Sequence, residues 1–165
     1  MNNNDILIRL RYALDVSNTE MADIFKLGGI EVTKEDILLL LKKANEDVAE
    51  NELQMKCTNQ MLDSFLNGLI IYKRGKQDPK LGQPQGQAGS IMTNENVNNI
   101  LLKKVKIALA LTSEDMLEIL EDAGVSVSKG ELSAVLRKEG HKNYKPCMDR
   151  YARNFLKGLA IKYRA

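Results

Sequence analysis

The chain has 165 residues, 44% hydrophobic and 28% charged, with a formal net charge of +2. That is the composition of an ordinary globular protein, with room for one domain or two small ones. No apolar run approaches the ~20 residues a membrane span needs, and the start MNNNDILIRLRYAL is polar and then amphipathic rather than a signal peptide. Neither a membrane anchor nor secretion is expected, and a cytoplasmic location follows.

The first predicted element is a helix over residues 3–15, with Ile6, Leu7, Leu10, Ala13 and Leu14 on one face. Ser17 followed by Glu20 reads as a capping box that opens a second helix carrying Met21, Ile24, Phe25 and Leu27 inward. That helix ends at Gly28-Gly29, where Gly29 suits a left-handed stop and Ile30 supplies the apolar residue after it. Thr33 with Asp36 is a second capping box, and a third helix is expected from there to about Ala44. Residues 45–56 are acidic and poorly patterned. Residues 58–74 form a fourth helix, whose apolar stripe runs through Met61, Leu62, Phe65, Leu66, Leu69 and Ile70.

Residues 75–95 break the pattern with prolines, glycines and glutamines, as a flexible linker does. The first part then returns at an offset of 95. Asn3-Asn4 aligns with Asn98-Asn99, Met21 with Met116, Ile24 with Ile119 and Gly29 with Gly124. The caps return as Thr112 with Asp115 and Ser128 with Glu131. After a deletion the offset becomes 90, so FLNGLIIYKR at 65–74 meets FLKGLAIKYR at 155–164, and Cys57 meets Cys147. Shared caps, stops and core positions identify a duplication. The expected fold is all-α, with two homologous four-helix units at 1–74 and 96–165 packed together through their FLxGL helices.

These residues resemble a known family. The tandem NN-x-IL start, the Met-x-x-Ile…Gly helix pair, FLNGLIIYKRG and HKNYKPC are similar to the YehS-like bacterial proteins, a domain-of-unknown-function family. The resemblance covers nearly the whole chain. It implies a cytosolic, all-helical, tandem-repeat protein and carries no established activity. One departure stands out: ANEDVAENELQMK before Cys57 is longer than the loop before Cys147, and Asn59 stands where the second copy has Asp149.

Enzyme signatures such as GxGxxG, the P-loop, GxSxG and HExxH are absent. The single His141 and the two cysteines make no zinc pattern, and Cys147 lacks a second positioned base for nucleophilic chemistry. Cys57 and Cys147 read as structural thiols. No catalytic residue, cofactor or metal is expected. The helix–Gly–helix pairs at 19–44 and 114–138 resemble helix-turn-helix units only superficially, because Glu35 and Asp36 or Glu131 stand where phosphates would lie.

Two surfaces remain as candidates. Ser64, Gly68 and Ile71, repeated as Asn154, Gly158 and Ile161, form a column away from the Phe/Leu stripe. A mid-helix glycine at the same place in both copies predicts close backbone approach, here assigned to the interface between the repeats. The second candidate is electrostatic. Residues 1–75 carry 9 basic and 12 acidic side chains, and residues 96–165 carry 13 and 8. Arg150, Arg153, Lys157 and Arg164 make one column on the last helix, and Lys103, Lys104 and Lys106 add charge on the helix after the linker. The expected function is a non-enzymatic interaction or regulatory module with a protein partner. Sequence-tolerant nucleic-acid binding by the basic second half is the alternative.

Overall fold

The computed structural model describes residues 2–41, 56–74, 92–93, 96–137 and 142–164. The described residues form helices and no strands. In the first repeat these are α1 (Asn3–Leu14), α2 (Asn18–Leu27), α3 (Lys34–Leu40) and α4 (Asn59–Arg74). In the second they are α5 (Val97–Ala108), α6 (Ser113–Asp122), α7 (Lys129–Leu136) and α8 (Asp149–Arg164). The protein is therefore all-α with two tandem homologous units.

Local chemistry sets most boundaries. Ser17/Glu20, Thr33/Asp36, Thr112/Asp115 and Ser128/Glu131 all close reciprocal capping boxes at the starts of α2, α3, α6 and α7. Each satisfies helix N–H groups that otherwise have no partner. Gly29 and Gly124 take φ of +98° and +94°, and the next residues, Ile30 and Val125, donate back to the Phe25 and Leu120 carbonyls. These are the stops the sequence predicts. A second pair of left-handed stops has no glycine signal: Asp15 and Ala110 end α1 and α5, each at φ 55°. α3 ends at Leu40 with Leu41 as its cap, short of Ala44, and residues 42–55 lie outside the described residues. Most of the expected linker also lies outside them. Met92 and Thr93, assigned to it by composition, belong to the folded unit instead: Met92 is buried, and Thr93 exchanges hydrogen bonds with Asn96.

The core is aliphatic, as a chain without Trp requires, with Phe25 and Phe65 packed at a tilt, 5.0 Å between ring centroids, and Phe155 buried in the second repeat. Buried asparagines tie each unit together. The Asn4 amide donates to the Leu40 carbonyl at the end of α3, and its oxygen accepts the Cys57 N–H before α4. Asn99 does the same with Val135, Lys145 and Cys147. Beside them, Asn3 donates to the Cys57 carbonyl and Asn59, and Asn98 donates to the Cys147 carbonyl and Asp149. Asn59 thus accepts in the same way as Asp149, despite the longer segment before Cys57.

The glycine column packs differently from expectation. A Cβ on Gly68 would lie 1.8 Å from the Ile24 carbonyl oxygen, and one on Gly158 would lie 2.1 Å from that of Ile119. The close approach is therefore α4 on α2 and α8 on α6, inside each repeat. Ser64 belongs to the same contact: a Cβ on Gly28 would lie 1.8 Å from its carbonyl oxygen. Asn154 donates within its own helix to Arg150, and Ile161 is 40% exposed. The reason for the difference is geometric. The column points toward the short second helix, whose Gly28-Gly29 stop lets the backbones meet.

The repeats join reciprocally. α4 packs on α5, the first helix of the second repeat, and α8 packs on α1, the first helix of the first. The FLxGL helices do form the seams, but through the columns next to the glycines.

Two stability measurements check this packing. Gly158→Ala is expected to lower stability by ~1–3 kcal/mol through overpacking against fixed backbone, although Ala is the better helix former by ~1 kcal/mol. Thermal melting that leaves Tm unchanged would contradict the contact. Ala110→Gly is expected to stabilise by ~0.5–1 kcal/mol, because glycine removes the left-handed penalty at an exposed stop and gives back only part of it as chain entropy. Chemical denaturation reads this directly.

Candidate anion-binding groove

The two seams are equivalent by the duplication but carry different chemistry. In the α4/α5 seam, the Lys104 ammonium sits 2.6 Å from the Asp63 carboxylate and 2.7 Å from the Asn67 amide oxygen. The Lys104 side chain is only 11% exposed, so this pair lies inside the seam. Farther along, Arg74 donates to the Ile107 carbonyl at 3.3 Å. The seam is closed by the chain's own charges.

The equivalent of Lys104 is Arg9, and the equivalents of Asp63 and Asn67 are Arg153 and Lys157. The acceptors have become cations. Arg9 on α1 and Arg153 and Lys157 on α8 line one groove of about 860 Å³. Spacing explains how each helix contributes. Asp5, Ile8, Arg9 and Tyr12 fall on one face of α1, and Arg153, Leu156, Lys157 and Ala160 fall on one face of α8. Leu156 is buried, so the groove has an apolar floor between charged walls. Tyr12 is 57% exposed at its edge. Among the described residues Asp5 is the one carboxylate lining it, and it accepts from Asn2 N–H at the α1 capping box. Cations facing each other across a partly apolar cleft raise the local positive potential and favour an anionic occupant.

The basic residues singled out by sequence are thereby separated. Arg150, Arg153 and Lys157 are exposed as expected, and the last two border the first repeat. The side chain of Arg164 lies outside the described residues. Lys104 is neutralised in the opposite seam, which corrects its place among the polyanion contacts. Lys103 and Lys106 lie on another face of α5, with Arg137 of α7. Among the described residues these cations are divided between separate concavities. Arg9 and Tyr12 were not singled out by sequence, because Arg9 lies in the acidic half. Only its alignment with Lys104 points to the seam.

The cysteines are buried thiols. Cys57 and Cys147 are free and buried, and burial pushes both thiols up to about 12, helped at Cys147 by Asp149. They stay protonated at neutral pH. His141 lies outside the described residues. Among the described residues no group of His, Cys, Asp and Glu is placed to hold a metal ion, and no helix is long and apolar enough to cross a membrane.

The same duplication is visible in comparison with known proteins. A family described as "Protein of unknown function (DUF1456)" matches residues 3–75 and again 98–165. The chain belongs to this family. Within it, the chain is 39% identical over 164 residues to the "Uncharacterized protein YehS" of Escherichia coli (strain K12), covering 98% of this chain and 96% of that one. No solved structure matches. The two family matches coincide with the two repeats, so the seam chemistry arises between two copies of one family domain.

Grafting the closed seam onto the open one checks the electrostatic account. Arg153→Asp with Lys157→Asn places the Asp63/Asn67 pair opposite Arg9. The double variant is expected to raise Tm by about 2 °C, the scale of one modest ion pair in a protein of this size. A fall in Tm by scanning calorimetry would show that the cations do not oppose Arg9.

Proposed function

We propose that this protein is a non-enzymatic interaction module of the cytoplasm that captures an acidic segment of a protein partner in the α1/α8 groove. The observation carrying this reading is the inverted seam: Arg9, Arg153 and Lys157 line a groove where the duplicate position holds a cation with its own carboxylate. A carboxylate-bearing segment supplies what Asp63 supplies in the other seam. Leu156, Ile8 and Ala160 offer the apolar contact that anchors such a segment. Steering by the cations speeds encounter and is weakened by salt.

Several features support this over the alternatives. The basic side chains are divided among separate faces, whereas nucleic-acid backbone tracking uses a continuous basic path. In the helix–Gly–helix pairs, Asp36 and Glu131 are bound into capping boxes at the ends a DNA reader would insert. The protonated, buried thiols favour binding over catalysis, and free cysteines suit a reducing compartment.

An affinity pull-down from native lysate tests the proposal, using wild type and the Arg153→Asp/Lys157→Asn variant, each with and without nuclease. Protein partners are expected to persist after nuclease with wild type and to be lost with the variant. Recovery that requires nucleic acid, or that is equal for both proteins, counts against it.

A further inference from the structure

A second cationic concavity lies on the other side of α5. Lys103, Lys106 and Ile107 occupy one face of α5 at i, i+3 and i+4. Ser133, Leu136 and Arg137 repeat that spacing on α7, and Ser113, the first residue of α6, closes one end. Together they border an open concavity of about 370 Å³, and among the described residues no carboxylate lines it. Arg137 is only part-exposed, and its Nε is buried without a hydrogen-bond partner. A buried charged donor left unpaired is costly and calls for an acceptor. On its other side Arg137 borders a concavity that includes Glu131, but that carboxylate accepts the Ser128 N–H in the α7 cap.

The first repeat shows what this place looks like when the chain fills it. There the counterpart of Lys106 is Arg11, whose Nε donates to the Asn18 amide oxygen at 2.8 Å. In the second repeat Asn18 is replaced by Ser113, and Leu38 by Ser133. Both changes shorten the side chain and end in a hydroxyl. The cation loses its internal acceptor, space opens, and two donors line it.

We infer that the α5/α7 cavity binds a phosphate monoester. A guanidinium fork, the Lys106 ammonium and serine hydroxyls offer many donors and positive charge to one small concavity. A monoester brings three terminal oxygens and nearly two negative charges, whereas a carboxylate brings two oxygens and one. Ile107, 42% exposed, and Leu136 flank the site and contact the organic body of the ester. The site shares no residue with the α1/α8 groove, so it is independent of the protein-partner reading.

The test is an NMR titration of the full-length, isotope-labelled chain at constant ionic strength with phenyl phosphate, inorganic phosphate, diphenyl phosphate and acetate. Phenyl phosphate is expected to move the amide signals of Lys106, Ser113, Ser133 and Arg137 and to bind about tenfold or more tightly than diphenyl phosphate or acetate. Tighter binding of phenyl phosphate than of inorganic phosphate marks the organic body as part of the ligand. Equal binding of the two assigns the site to free phosphate and overturns the ester claim. Arg137→Gln is expected to weaken phenyl phosphate about tenfold. Ser133→Leu, which restores the first-repeat residue at an exposed position, is expected to do the same and serves alone if the arginine variant fails to fold. Binding that is absent, equal for acetate, or unchanged in Ser133→Leu overturns the inference.

Discussion

The fold depends on a buried asparagine in the first helix of each repeat. Asn4 and Asn99 are 3% and 1% exposed, yet the amide of each is bonded at both ends. One side chain holds the end of the third helix and the start of the fourth against the first. A buried amide is stabilising only when fully partnered, so the arrangement admits one register and rejects its neighbours. With the first helix fixed in this way, its opposite face is presented to the other repeat. The seams, and the grooves along them, follow from that orientation.

The glycine contacts act at right angles to this tether. Gly68 and Gly158 bring the fourth helix of each unit onto the backbone of the second. The bond from Tyr72 to Glu20 at 2.6 Å reinforces the same pair of helices and holds the Glu20 carboxyl below its usual range. In the second repeat Lys162 stands at the place of Tyr72, and Asp115 is held below its usual range chiefly by hydrogen bonds from Thr112 in the capping box, with the Lys162 charge adding to them. The same contact is thus kept with different polar chemistry, as expected where the backbone fit, and not the side-chain pair, sets the distance.

Duplication supplies each site with an internal reference. The α4/α5 seam shows Lys104 satisfied by Asp63 and Asn67, and the α1/α8 seam shows the cation retained and its acceptors replaced by Arg153 and Lys157. The Arg11–Asn18 bond likewise shows what the α5/α7 cavity lacks. Lys104 is 11% exposed inside its seam, whereas Arg9, Arg153 and Lys157 line an open groove. Unpaired like charges are unfavourable for the isolated chain, which is the usual mark of a surface shaped for an external ligand and not for stability alone.

Capping boxes, glycine stops, core stripes and the duplication were legible in the sequence because each depends on residues within one or two helical turns. The period of the Phe65 and Phe155 stripes and the Ser/Thr-x-x-Asp/Glu spacings are local facts. The stops at Asp15 and Ala110 were not legible, because neither residue announces a left-handed conformation. The glycine column was recognised as a close contact, but its partner was not. A helical wheel gives the direction of a face without naming the helix that meets it. The charge of Arg153 and Lys157 was likewise visible, and their alignment with Arg9 was not. Those three side chains come from opposite ends of the chain and different repeats, and only the packing of the last helix on the first brings them into one groove.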